Sequence, residues 1–213
     1  MSAACRAPQR LNRTRTRSRS RRRAALATAG VAVAALVLSA CGSGGTSGGS
    51  GNTNFITGKD GIATVRKGER AAAPDLSGTT IDGQKLDVAS YKGKVVVINV
   101  WGSWCPPCRA EASNFVQVAK DTAGKGVQFV GINTRDTSTE PARAFEKQYG
   151  VTYPSLYDPT GRLMLRFKKG TLNPQAIPST LVLDRDGKIA ARTLQPLTEE
   201  KLREMLDPVV AEK

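Results

Sequence analysis

Residues 95–111 read Val95-Val96-Val97-Ile98-Asn99-Val100-Trp101-Gly102-Ser103-Trp104-Cys105-Pro106-Pro107-Cys108-Arg109-Ala110-Glu111. From Val95 to Val100 the run is almost continuously β-branched, the pattern of a strand buried on both faces. From Pro106 to about Thr122, Phe115, Val118 and Ala119 fall at core spacing, which predicts a helix. Cys105 and Cys108 therefore stand between a buried strand and a helix start, where a Cys-x-x-Cys pair becomes a redox pair. Free N–H groups and the helix dipole favour a thiolate on the first cysteine. Pro106 and Pro107 cost the helix little, because first-turn N–H groups have no intrahelical partner. Cys105 is thus expected to be the exposed nucleophile and Cys108 the resolving thiol.

Other uses of the pair fit less well. Of the four cysteines, Cys5 and Cys41 lie far upstream of the folded part. A zinc site would need two further soft ligands, and the chain has no histidine. Haem attachment would need histidine at position 109, where arginine stands. A structural disulfide over so short a loop would constrain little of the unfolded chain. The absence of histidine also excludes Ser-His-Asp and Cys-His catalysis.

Working outward, Ile62–Val65 is strand-like, and residues 80–86 carry the Asp82-Gly83 centre of a tight hairpin. Val127–Ile132 predicts a second buried strand. A helix from about Glu140 to Tyr149 follows, with Pro141 in its first turn and Gly150 as its stop. A short helix is expected around 160–167. Residues 180–183 and 188–192 flank Asp186-Gly187 as a hairpin, and residues 198–210 predict a closing helix through Leu202, Met205, Leu206 and Val209. Asp184 and Asp186 read as turn residues and not as a calcium loop, since Lys188 and Gln195 stand where ligands would be required. The whole is an α/β chain with a mixed sheet covered on both faces.

Taken in order, Ala73-Pro74-Asp75-Leu76, Asn99 through Glu111, Val130-Gly131-Ile132-Asn133 and Ile177 through Asp184 resemble the TlpA/ResA-like thioredoxin-fold oxidoreductases, related to the AhpC/TSA redoxins. The resemblance runs from about Ala73 to Val210. It implies a thioredoxin fold with an α/β insertion at about residues 131–168 and a cis proline, Pro178, beside the cysteines. It also implies that Glu111 takes the proton-handling role that a buried aspartate has in thioredoxins, the aligned position here being Asn99, which cannot titrate. Ser113 stands where these proteins usually carry a helix-kinking proline.

Upstream, Arg10–Arg23 is an arginine tract followed by 17 uncharged residues, Ala24–Ala40, the layout of an export signal. Residues 1–41 hold nine arginines and no acid, so of the +14 net charge about five charges remain for the rest and no nucleic-acid partner is expected. Leu38-Ser39-Ala40-Cys41-Gly42 resembles a bacterial lipobox, with Cys41 the acylated residue, and the 13 residues after it hold six Gly and three Ser, a flexible tether. The expected organisation is a lipoprotein signal at 1–40, lipidated Cys41 and tether to 54, an N-terminal extension at 55–71, and a thioredoxin-like domain at 72–213. That places the protein on the outer face of the cytoplasmic membrane; a monomer is expected.

The expected function is thiol-disulfide exchange through Cys105 and Cys108, with Glu111 and Pro178 completing the site and neither metal nor cofactor involved. By the resemblance the work is reductive. Clients would be exported disulfide proteins such as apocytochrome c, and electrons would come from a membrane thiol carrier. A peroxiredoxin would want Thr or Ser at position 102, where glycine stands. A lipoprotein binding module with a structural disulfide is the non-enzymatic alternative.

Overall fold

The computed structural model describes residues 53–212. The segment expected as an export signal, Cys41 and most of the expected tether lie outside the described residues. Two short strands, β1 (Ile56–Thr57) and β2 (Ala63–Thr64), come first, then a hairpin of β3 (Ser77–Thr79) and β4 (Lys85–Asp87). Its turn closes through Thr80 N–H to Gln84 O, with Gly83 at φ 85°, a region open to glycine. The central strand β5 (Val95–Trp101) leads into α1 (Pro106–Thr122), which runs unbroken past Ser113. Next come β6 (Val127–Thr134), α2 (Thr139–Tyr149), β7 (Ser155–Asp158) and a single turn, α3 (Arg162–Leu165). The chain closes with β8 (Ser179–Leu183), β9 (Ile189–Thr193) and α4 (Glu199–Ala211).

Among the described residues, seven strands form one sheet in the order β1-β2-β9-β8-β5-β6-β7. β5 is parallel to β6 and antiparallel to β8, so both its edges are paired, as its β-branched run requires. Alternate residues face opposite layers. Val96, Ile98 and Val100 pack with Ile132, Leu156, Leu181 and the α3 residues Leu163 and Met164. On the other face Val95 and Val97 meet Phe115 and Val118 of α1 and Leu202 and Leu206 of α4. Burying each such side chain contributes about 1.5–3 kcal/mol, and the two layers lock β5 in position. The register sets the site: Val100 pairs with Ser179, which brings the preceding Pro178 beside the loop that follows Trp101.

Three features depart from the sequence expectation. β7 was not foreseen; it is a short outer strand directly behind Pro154, where a proline interferes with no ladder bond. The helix expected over 160–167 is one turn, begun at Gly161 (φ 72°) and capped by Asp158, which accepts from Arg162 N and Leu163 N. Residues 55–71 are woven into the main sheet, β2 pairing with β9 and Phe55, Ala63 and Val65 entering the core. The segment expected as an insertion holds the end of β6 together with α2, β7 and α3, so β7 widens the sheet beyond β6. Asp184 serves its turn, accepting from Asp186 N and Lys188 N, and pairs with Arg70. No helix among the described residues is long and apolar enough to cross a membrane.

Candidate active site

Cys105 is the N-cap of α1, with Pro106 and Pro107 in the first turn. It is joined to Cys108 as a disulfide. The Cys108 backbone N–H points at Cys105 Sγ, 3.2 Å away, the contact that would hold negative charge on this sulfur once the pair is reduced. Cys105 Sγ also stands 3.7 Å from Ile177 O, and the Ile177–Pro178 peptide is cis. Cys105 is not the exposed thiol expected: both cysteines are 1% accessible. The cause is packing, since the pair sits in a cluster with Ile81, Trp101, Ala142 and Phe145 and is bordered by Ile177.

Glu111 lies one turn beyond Cys108 on the buried side of α1 and is 2% accessible, so it is not a solvated helix carboxylate. Its Oε1 accepts from Asn99 Nδ2 and its Oε2 from Leu197 N, both at 2.9 Å. Burial pushes its carboxyl up to about 7, the two hydrogen bonds opposing that rise only in part. Asn99 and Cys108 both line a crevice of about 10 Å³, room for roughly one water, together with Trp101, Ala112, Phe145 and Tyr153. A carboxyl tuned near neutrality one helical turn from a thiol can accept or return its proton.

The loop before Cys105 is clamped from the end of β6. Buried Asp136 accepts from Ser103 N at 2.9 Å, Ser103 Oγ at 2.5 Å and Asn133 Nδ2 at 2.6 Å. Arg109 donates through Nε and Nη2 to Ser103 O, and Trp104 Nε1 donates to Thr134 O. These bonds leave no room at Gly102: a Cβ there would overlap the Trp104 indole and lie 3.0 Å from Thr134 O. The threonine or serine that a peroxiredoxin needs at position 102 would therefore have to displace the Trp104 indole.

The Redoxin family model matches residues 67–207 of this chain. The chain belongs to the Redoxin family. It is 31% identical over 144 residues to the thioredoxin-like protein YneN of Bacillus subtilis, covering 67% of this chain and 80% of that one. It is 28% identical over 137 residues to the thiol-disulfide oxidoreductase ResA of Bacillus cereus, covering 64% and 76%. A secreted thiol-disulfide isomerase from Corynebacterium glutamicum superposes with a TM-score of 0.66 at 30% identity, covering 71% and 93%. The expected thioredoxin fold and TlpA/ResA-like kinship hold, and this redoxin is a thiol-disulfide oxidoreductase.

All four residues expected at the site converge in this redoxin: Cys105, Cys108 and Glu111 along one face of α1, and Pro178 across from Cys105. Asn99, noted only as a non-titrating replacement, turns out to be a direct partner of Glu111. Ser103, Asp136, Thr134 and Leu197 were not foreseen. Asp136 lies 33 residues from Ser103 and Leu197 lies 86 from Glu111, separations at which no local pattern marks a pair. Cys41 lies outside the described residues.

Proposed function

We propose that this redoxin works as an extracytoplasmic, lipid-anchored reductase of exported proteins, apocytochrome c among them. The observation that carries the proposal is Cys105 Sγ at the helix N-terminus, with the Cys108 N–H aimed at it and a buried carboxyl near neutrality one turn behind. The reduced Cys105 thiolate attacks one sulfur of a client disulfide, forming a mixed disulfide and releasing the other client sulfur as a thiolate. Glu111 takes the proton of Cys108; the Cys108 thiolate then attacks Cys105 Sγ, expelling the second client sulfur. The client leaves with one thiol, protonated from Glu111, and one thiolate that takes its proton from water, and the Cys105–Cys108 disulfide remains, to be reduced again by a membrane dithiol. The arginine tract, the apolar run and Cys41 support export and lipid attachment, and the Corynebacterium neighbour is itself described as secreted.

Insulin-disulfide reduction by the reduced protein tests the activity, and trapping tests the roles. Cys108→Ser is expected to accumulate mixed disulfides with clients and Cys105→Ser to trap none. Equal trapping by both variants would reverse or abolish the assignment.

A further inference from the structure

We propose that Arg135 makes this redoxin select client segments with an acidic residue two or three positions from the attacked cysteine, an inference that rests on the Cys105 exchange chemistry proposed above. Arg135 has φ 61°, in the left-handed region that a residue with a Cβ enters at a cost. Both neighbours fasten the cysteine loop: Thr134 O accepts from Trp104 Nε1, and the Asp136 carboxylate accepts from Ser103 N. The reversal between these fastenings carries the exposed Arg135 side chain to the rim of the site. There its Cζ lies 5.6 Å from the Trp104 ring, and its Nη2 donates to Pro174 O. Trp104 itself is 42% accessible.

Arg135 thus bridges the two loops that flank the disulfide. Pro174 and Ile177 are three residues apart, a chain span of roughly 10 Å at most, and Ile177 O is the carbonyl beside Cys105 Sγ. A client cysteine seated on Cys105 therefore places side chains two or three residues along within reach of the guanidinium. The charge on these two loops is one-sided, and Asp82, next to Ile81 of the cysteine cluster, faces Arg143. Segments 101–110 and 170–179 contain no Asp or Glu, Asp136 is buried under three donors, and Arg109 adds a second guanidinium at Ser103 O. A guanidinium has five N–H donors in a planar fork suited to a carboxylate and to stacking on an aromatic ring. An acidic client side chain complements this rim, and a basic one is repelled.

The test uses the reduced full chain and short peptides whose cysteine carries a chromogenic mixed disulfide, with Glu, Gln or Lys three residues away. The Glu peptide is expected to react about tenfold faster than the Lys peptide at low ionic strength, with the ratio falling toward one in about 0.5 M salt. Arg135→Lys is expected to keep most of that ratio. Arg135→Asn, which tolerates the left-handed backbone, is expected to bring it near one. Because the readout is a ratio within one protein preparation, loss of folded material does not move it. Exchange with all three peptides at equal rates, or a ratio undiminished in Arg135→Asn, would overturn charge selection alone. Failure to react with any peptide would overturn the exchange chemistry and the inference with it.

Discussion

Asn99 donates a 2.9 Å hydrogen bond to Glu111, joining the central strand to the helix that carries both cysteines. The neutral amide leaves the buried carboxyl without a compensating cation, and burial therefore dominates its titration. The acid poised near 7 is thus a product of burial, which the hydrogen bonds from Asn99 and Leu197 offset only in part.

Glu111→Gln preserves the shape and removes the titrating proton. With Glu111 intact, the rate of Cys108 alkylation, measured across pH 5–9 in the Cys105→Ser background, is expected to show an inflection near 7. The variant is expected to lose that inflection and to exchange thiols more slowly at neutral pH, by about tenfold or more, a typical contribution of acid–base catalysis being about 10²–10⁴. Identical profiles would leave Glu111 with a packing role only.

Stability carries the same signature with a definite sign. Glu111 and Glu146 are both raised to about 7, Glu111 by burial and Glu146 by burial with the charge of Asp82 behind it. The folded state then binds more protons than the unfolded state between about pH 4.5 and 7, and unfolding free energy falls as pH rises through that window. For Glu111 the loss is about 3 kcal/mol. Urea unfolding at pH 4.5 and pH 8 is expected to show this decline in the wild-type protein and a smaller one in Glu111→Gln. A decline of equal size in both would exclude the carboxyl as its source.

Gly102→Thr asks whether the peroxiredoxin alternative can be installed. With the Trp104 indole and Thr134 O against position 102, overpacking is expected to cost about 1–3 kcal/mol and to displace Trp104, visible as a shift in tryptophan emission. No peroxidase turnover should appear. A stable variant with unaltered emission and measurable hydroperoxide consumption would contradict the steric account.

What was legible in the amino-acid order was what is local. The β-branched run announced β5, and the Cys-x-x-Cys at a helix start announced the site, because both depend on spacings of a few residues. Glu111 was legible through the family resemblance, which its place one turn from Cys108 on the helix supports. The burial of Cys105 was not, since it depends on Ile177, 72 residues away, and neither was the Asp136 clamp, whose donors come from the loop before Cys105 and from strand β6. β7 escaped because its four residues alternate weakly and follow a proline.

Direction of electron flow is the central claim, and the fold leaves it open, since Cys-x-x-Cys pairs on this architecture range from about −270 mV to about −120 mV. The reductive account requires the Cys105–Cys108 pair to be kept as a dithiol by its membrane donor. The most direct measurement is acid quenching of growing cells followed by a mass-shifting thiol reagent and detection of the protein. A pool carrying two modified thiols at Cys105 and Cys108 is the result predicted. A pool found mainly as the unmodified disulfide, with client disulfides lost when the protein is deleted, would contradict the account and make it an oxidase.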